Sequence, residues 1–558
     1  MKWFLLFCIL SFSSPAAQDG GTFCILDYGA VRDSTVLQTK AIQKAIDAAA
    51  RRGGTVIIPE GKFLSGALHF RRGTQLRLDK DAVLRAGTPE ALFDIRRLEG
   101  AGISGGTIEG EGLPGLFRIR DSRRVSVSGC RIRSGGNLIA LSGSCSDIVV
   151  QDCDIKIGNG DLSAGGDVTW LRNKIRFTYN ADEDKVGPYT LEDPLRFADG
   201  RPVRTPSEWQ ERRGEILSLF QREMYGRIPE PSPIYVDTLE ESAALAGFGV
   251  RKQLRMWFRE DRTGPKIDWM VLYPADAKGP VPAIITLNFF GNRTIGDGSG
   301  DLMRDWPLDV ILARGFAFAT ACYGDVSPDP DEMELQDPLP WSGVFDLWTD
   351  SGTPEGPRAI GAWAWALMRG MDMLSADPRI DASGVVVTGS SRLGKAALLA
   401  GAFDERFAVV VANQTGGGGV PLAKRDFGEH VRSESARFRH WFSPSYAKYA
   451  GCEAAAMPFD QHLLVSCIAP RPLLVEGFGN PWFDTHGEFL CLQAASPVWE
   501  FLGAPGLPDV EWPDDYDTSA IGPRLGYVRR PHGHGYSAVD WLWLLDFAEG
   551  SLRRNAGN

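Results

Sequence analysis

Gly389-Ser390-Ser391-Arg392-Leu393-Gly394-Lys395 follows the short apolar run Val385–Thr388 and leads into the helical stretch AALLAGAF. A serine on so tight a strand-to-helix turn lifts its hydroxyl above a sheet, and the first N–H groups of the helix lie beside it. That combination suits acyl transfer, with Ser391 as nucleophile and a helix-end site for the oxyanion. Gly389 and Gly394 permit strand and helix to approach; the second glycine of a G-x-S-x-G turn would fall at Leu393. The proton of Ser391 needs a neutral imidazole, and the chain has only seven histidines. His69 lies far from the turn in sequence, and His430 and His440 sit in a separate insertion. His462 and His486 stay open by position. His532 and His534 occupy RRPHGHGYSAVDW, a Gly-rich loop before a helix starting near Ser537.

The elements that must position these groups alternate. Val281–Asn288, Gly315–Thr320, Val385–Thr388, Val409–Ala412 and Pro472–Val475 read as apolar strands, and Ala359–Leu374 as a helix. Strands interleaved with helices predict a doubly wound, mostly parallel sheet. Thr205-Pro206-Ser207-Glu208 reads as the start of a helix. Residues 176–204, rich in Asp, Glu, Pro and Gly, read as a linker wrapping onto that domain.

Residues 21–175 follow a different pattern. After a helical stretch, Thr39–Ala50, short strands alternate with Gly, Asn and Asp turns. Gly106-Thr107, Gly129-Cys130, Asp152-Cys153 and Arg172-Asn173 recur at intervals of 23, 23 and 20 residues. Such a period, with one cluster of strands per repeat, predicts a parallel β-helix in which Cys130 and Cys153 stack as core thiols. The DYGA opening, GGTVIIP and GGTIEGEG resemble the start of the pectin-lyase-like and polygalacturonase-like families. Their acidic active-site motifs are missing. Asp154, Asp161 and Asp167 are the nearest carboxylates and read as solvated turn residues, so the module is expected to bind carbohydrate or to be structural.

The length, 558 residues, calls for more than one domain. A net charge of −11 without a basic tract argues against nucleic acid as a partner. The start, MKWFLLFCILSFSSPAAQDG, has a positive end, a short apolar run and small residues near Ala17. It reads as a signal peptide over residues 1–17, giving a secreted or periplasmic, membrane-free, monomeric protein. Sixteen Trp suit sugar stacking and ordinary core alike.

From residue 182 to 555 the chain resembles the glucuronoyl esterases of carbohydrate esterase family 15, with an α/β-hydrolase domain spanning 205–555. The matching stretches, in order, include DKVGPYTLEDPLRFADG, FGNRT, TGSSRLGK, NQTGGGG, RDFGEH, MPFDQHLLVSCIAPRPLLVEG, WFDTHGEF and GYVRRPHGHGYSAVDW. The resemblance implies hydrolysis of the ester between 4-O-methyl-glucuronoyl side chains of plant cell-wall xylan and lignin alcohols, without metal or organic cofactor. It implies Ser391 as nucleophile, His534 as base, Arg392 on the oxyanion, and Lys395, Glu429 and Trp482 around the sugar. Gln461 and His462 read as scaffold, and Asn288 and Asn292 as shaping the oxyanion side.

One position departs. Where the family keeps its acid the chain carries Gln414, and where some members keep another it carries Asn480. Asp484 is the expected replacement, in the loop after the strand and before His534. Glu476 and a Ser–His pair oriented by an amide remain open, as does a weak or inactive carbohydrate-binding protein, or an esterase for another sugar acid.

Overall fold

The computed structural model describes residues 21–110, 115–158, 163–164, 168–295, 306–330 and 341–556. Residues 1–17, Asp161 and Asp167 lie outside them. The chain divides into two compact units, with Thr178 and Tyr179 on either side of the main boundary.

The N-terminal unit consists of three parallel sheets of seven, five and six strands. Successive strands visit the sheets in turn. Glu99–Ser104, Thr107–Gly110 and Gly115–Arg120 each join a different sheet, and Arg123–Ser128 then pairs back onto Glu99–Ser104. The recurring turns work because the same position in each takes left-handed backbone: Gly105, Gly129, Asp152 and Arg172, with Gly106 left-handed as well. Like positions then stack. Ile108, Ile132 and Ile155 align across adjacent strands, and the rings of Phe93 and Phe117 lie 4.8 Å apart. Cys130 and Cys153 are buried free thiols in contact, the Cys130 N–H donating to Cys153 Sγ at 3.4 Å. Asp154 forms a surface ion pair with Arg176 at 2.5 Å.

The C-terminal unit is built on a nine-stranded sheet. Its strands are β1 (Tyr235–Ala244), β2 (Gly249–Trp257), β3 (Lys266–Pro274), β4 (Val281–Asn288), β5 (Ala317–Cys322), β6 (Ile380–Ser390), β7 (Val409–Asn413), β8 (Leu473–Phe478) and β9 (Leu525–Arg530). Their spatial order is β1-β2-β3-β5-β4-β6-β7-β8-β9. The first three pairings are antiparallel and the rest parallel, so the sheet is mostly parallel, as its apolar runs predict. Each run serves two cores. Ile285, Val387 and Val475 face one, with the helices Ala359–Ser375 and Arg392–Phe403; Ile284, Val386 and Leu474 face the other, with Trp541 and Leu545 of the helix Ala538–Ala556. Burial on both faces is why these strands read as continuous apolar segments rather than alternating ones.

Six Trp, at 209, 269, 363, 365, 499 and 541, are among the largest fully buried side chains, so much of the Trp content is core. The helix Pro206–Phe220 starts at a capping box of Thr205 and Glu208. The preceding segment belongs to this unit. Phe197 and Val203 enter its core, Glu183 bonds Arg425, and Glu192 bonds Lys424. Among the described residues no helix is long and apolar enough to cross a membrane.

Candidate active site

Ser391 stands between β6 and the helix Arg392–Phe403, here α1, with φ 59° and ψ −129°. That left-handed φ is rare for a residue with a Cβ and marks a sharp turn. The neighbours make it possible. A Cβ on Gly389 would lie 2.2 Å from the Leu393 carbonyl oxygen, and one on Gly394 2.8 Å from the Asn413 oxygen. The glycine that relieves the crowding is therefore Gly394, one place later than in G-x-S-x-G. The Ser391 N–H donates to the Asn413 carbonyl at 3.0 Å and fixes the turn to β7. The first N–H groups of α1 remain as donors beside the hydroxyl.

His534 comes from the loop after β9. Its ring packs against Phe478 (centroids 5.7 Å apart, planes 12° from parallel) and Phe483 (4.9 Å). His534 is exposed on one side; desolvation on the packed side, then the cations Lys395 and Arg392, hold the imidazole below its usual value, while Glu429 acts the other way. A neutral imidazole at neutral pH is what a general base requires. Arg530 organises the loop. Its guanidinium donates to the carbonyls of His532, Gly533 and Gly535, and to both carboxylate oxygens of buried Asp540. His532 is exposed and contributes that carbonyl.

The other histidines are engaged elsewhere. His69 bonds Asp94, His430 caps a helix, His440 bonds Asp329, His462 bonds the Glu192 carbonyl and His486 bonds Glu183. His440 meets Arg392 through Asp329, whereas the imidazole of His534 feels both Arg392 and Lys395, the residues that follow Ser391.

Lys395 is buried one helical turn after Ser391. Its Nζ donates to the Thr415 carbonyl at 2.7 Å and lies 3.6 Å from Glu429 Oε2. The Glu429 N–H donates to the Trp482 carbonyl at 2.6 Å, which ties Glu429 and Trp482 together. Trp482 is partly exposed, with Arg437 over its face and Tyr179 against its edge. Arg392 bonds Asp329 and lies over Trp441, 4.6 Å from the ring centroid. Asn288 shapes the β4 loop by donating to Asn292 and accepting from the Gly291 N–H. Gln461 donates to the Gly419 carbonyl and supports the glycine-rich loop.

The acids are placed less as the sequence suggests. Asp484 caps the helix Thr485–Phe501, taking the Gly487 N–H at 2.9 Å, and its other oxygen takes Arg425 Nε at 2.9 Å. Both oxygens are committed, and its charge is matched by Arg425. Glu476 lies inside β8 rather than at its end and is fully buried. It accepts from Asn413 Nδ2 at 2.9 Å. Burial, with Asp540 nearby, pushes its carboxyl well above the usual range. Gln414 is also fully buried, and its Oε1 accepts the Gly535 N–H at 2.8 Å. The arrangement is a serine and a neutral imidazole near a buried Lys–Glu pair. It can carry acyl transfer to and from a polar substrate.

A family model described as "Glucuronyl esterase, fungi" matches residues 341–503. The carbohydrate esterase MZ0003, from an unknown prokaryotic organism, is 36% identical over 406 residues, covering 66% of this chain and 91% of that protein. A 4-O-methyl-glucuronoyl methylesterase of Phanerochaete carnosa is 28% identical over 326 residues, 56% of this chain and 73% of its own length. Among solved structures, the glucuronoyl esterase from Solibacter usitatus aligns at 34% identity with a TM-score of 0.61, covering 66% of this chain and 100% of that one.

Proposed function

The chain belongs to the glucuronoyl esterases of carbohydrate esterase family 15, and from that premise we propose how its residues act. It is a carboxylic ester hydrolase, and its substrates are 4-O-methyl-glucuronoyl esters of the kind that join glucuronoxylan to lignin alcohols. The observation that carries this reading is the left-handed Ser391 at the start of α1, with Lys395 and Glu429 paired one turn away.

Ser391 Oγ attacks the ester carbonyl while His534 takes its proton. The negative oxygen is held by N–H groups at the start of α1 and by Arg392. The alcohol leaves with the proton from His534, and the uronoyl group stays as an ester of Ser391. Water, deprotonated by His534, then releases the uronic acid and restores the hydroxyl. Lys395 and Glu429 bind the sugar hydroxyls, a donor and an acceptor held in place by each other. Trp482 offers a ring face for the sugar.

The imidazole works without an uncompensated carboxylate. Asp484 is paired with Arg425, Glu476 is buried against Asn413 with its carboxyl pushed up, and Gln414 supplies an amide. We therefore read a Ser–His pair whose base is fixed by aromatic packing and by an anchored loop. This supports slower turnover than a full triad gives, because an amide does not stabilise the imidazolium. The N-terminal unit is read as a pectin-lyase-like β-helix without catalytic carboxylates, and the protein as exported.

The test compares wild type with Ser391→Ala on benzyl or methyl glucuronate, with the product acid measured directly. Activity should vanish in a folded variant. Retained turnover would exclude Ser391 as nucleophile.

A further inference from the structure

Asp329 follows Ser327-Pro328 in the loop beyond β5, distant in sequence from everything that marks the catalytic turn. Its side chain is 1% exposed, and three donors converge on it. Arg392 Nη1 donates to Oδ2, His440 Nε2 meets Oδ1 at 2.6 Å, and Trp441 Nε1 donates to Oδ1 at 2.8 Å. Burial alone would push the carboxyl up, but His440, Arg392 and Trp441 outweigh it and hold the group below the usual carboxylate range. Arg392 is gripped a second way, its guanidinium lying 4.6 Å from the Trp441 centroid and 5.7 Å from that of Phe438. Those rings are themselves stacked, 3.7 Å apart and 6° from parallel. The Arg392 Nε–H is buried and has no hydrogen-bond partner among the described residues.

We propose that Asp329, seated by His440 and Trp441, is a positioning residue that fixes the Arg392 guanidinium for the oxyanion formed at Ser391. The inference rests on the reading of Arg392 as an oxyanion donor. Donors stabilise a transition state best when they need not reorganise as charge develops. An arginine on its flexible stem does not meet that condition unaided, whereas one bonded at Nη1 and stacked on Trp441 does. A buried ion pair adds little to net stability, so fixed geometry is what it supplies here. The Asp329 charge also offsets that of Arg392, which by itself works against protonation of His534. The arrangement thus gives a firm donor near the base without the full weight of another cation.

The experiment measures kcat and KM of the full chain on methyl glucuronate and on 4-nitrophenyl acetate. Asp329→Asn is made in the wild-type and Arg392→Ala backgrounds, with melting curves to confirm folding. Asp329→Asn should lower kcat about ten- to a hundredfold on both esters, the range expected when a bond to a charged group is lost, with KM little changed. In the Arg392→Ala background the same substitution should cost nothing further, because the residue it positions is gone. If Asp329→Asn does not fold, Trp441→Phe removes one donor to Asp329 and keeps a ring under Arg392. Its smaller loss in kcat should also disappear in the Arg392→Ala background. Equal losses in both backgrounds, or a change in KM alone, would overturn the proposal, as would an Arg392→Ala enzyme with normal kcat. A wild type that cleaves the acetate ester and not the glucuronate ester would refute the uronate reading while leaving the clamp readable on acetate.

Discussion

The side-chain oxygen of Gln414 holds the backbone N–H of Gly535, 2.8 Å away, and so fastens the end of β7 to the residue after His534. Its Nε2 is buried with no hydrogen-bond partner among the described residues. A carboxylate at 414 would keep the bond to Gly535 and replace that unsatisfied donor with negative charge beside the base's loop. Gln414→Glu should therefore raise kcat on glucuronate esters; replacing a triad aspartate by an amide elsewhere costs about 10⁴, which bounds the gain. Gln414→Ala, which frees the loop, should lower kcat. Steady-state kinetics on methyl glucuronate decide it, and a folded Gln414→Glu enzyme no faster than wild type would show that the amide is not standing in for the acid.

Asp484→Asn separates a structural role from a catalytic one. Asparagine caps a helix nearly as well as aspartate, but the charge paired with buried Arg425 is lost. Breaking a buried pair outright costs about 3–5 kcal/mol; Arg425 keeps Glu183, so denaturant unfolding should show a smaller but measurable loss of stability. Below the melting transition activity should stay near wild type. Glu476→Gln, which keeps an acceptor for Asn413 Nδ2, should behave normally in both assays. A fall of about 10² to 10⁴ in kcat for folded Asp484→Asn would restore it as the acid.

Lys395 should be visible in the pH profile. The imidazole of His534 is lowered first by desolvation on its packed side and then by Lys395, and a general base acts when deprotonated. The acidic limb of kcat/KM should thus lie below the ordinary imidazole range. Lys395→Ala removes a cation that disfavours the imidazolium and frees the Glu429 charge that favours it, so the limb should move to higher pH. Turnover of glucuronate esters should fall about ten- to a hundredfold, with a smaller effect on acetate esters. A limb that stays in place would separate Lys395 from the base.

His462 predicts a pH dependence of stability that is independent of catalysis. It is fully buried, its Nε2 lies 2.7 Å from the Glu192 carbonyl oxygen, and burial lowers its pKa to about 4. The unfolded chain takes up the proton near pH 6.5, so stability supplied above that value is lost as pH falls towards about 4. The difference amounts to about 3 kcal/mol at most. Melting temperature should fall over that window in wild type, and His462→Gln should flatten the slope.

The tight turn at Ser391 was legible because it is local. Gly389, Ser391 and Gly394 lie within six positions, and their types reflect the crowding that the fold imposes. The loop that carries His534 was legible from its glycines and its place after the last strand. The partners of Asp484 were not legible, because position along a loop does not reveal direction. Its committed oxygens follow from Gly487, three residues on, and from Arg425, 59 residues back. The clamp on Arg392 was invisible for a similar reason. Asp329, Arg392 and Trp441 are brought together from three separate segments, and none carries a local signal.

The segment before the helix Pro206–Phe220 sets where a working catalytic piece can be cut from the gene. Lys424 and Arg425 have side chains 1% and 3% exposed, and their partners include Glu192 and Glu183. A shortened reading frame opening at residue 205 would strip both cations of those partners and remove Phe197 and Val203 from the core. Arg425 would keep Asp484, but Lys424 would lose its carboxylate, and a buried charge left unmatched costs about 3–5 kcal/mol, comparable with the whole stability margin of many proteins. An expression library that trims from the N-terminus should therefore yield soluble protein down to a start near Tyr179 and inclusion bodies beyond it.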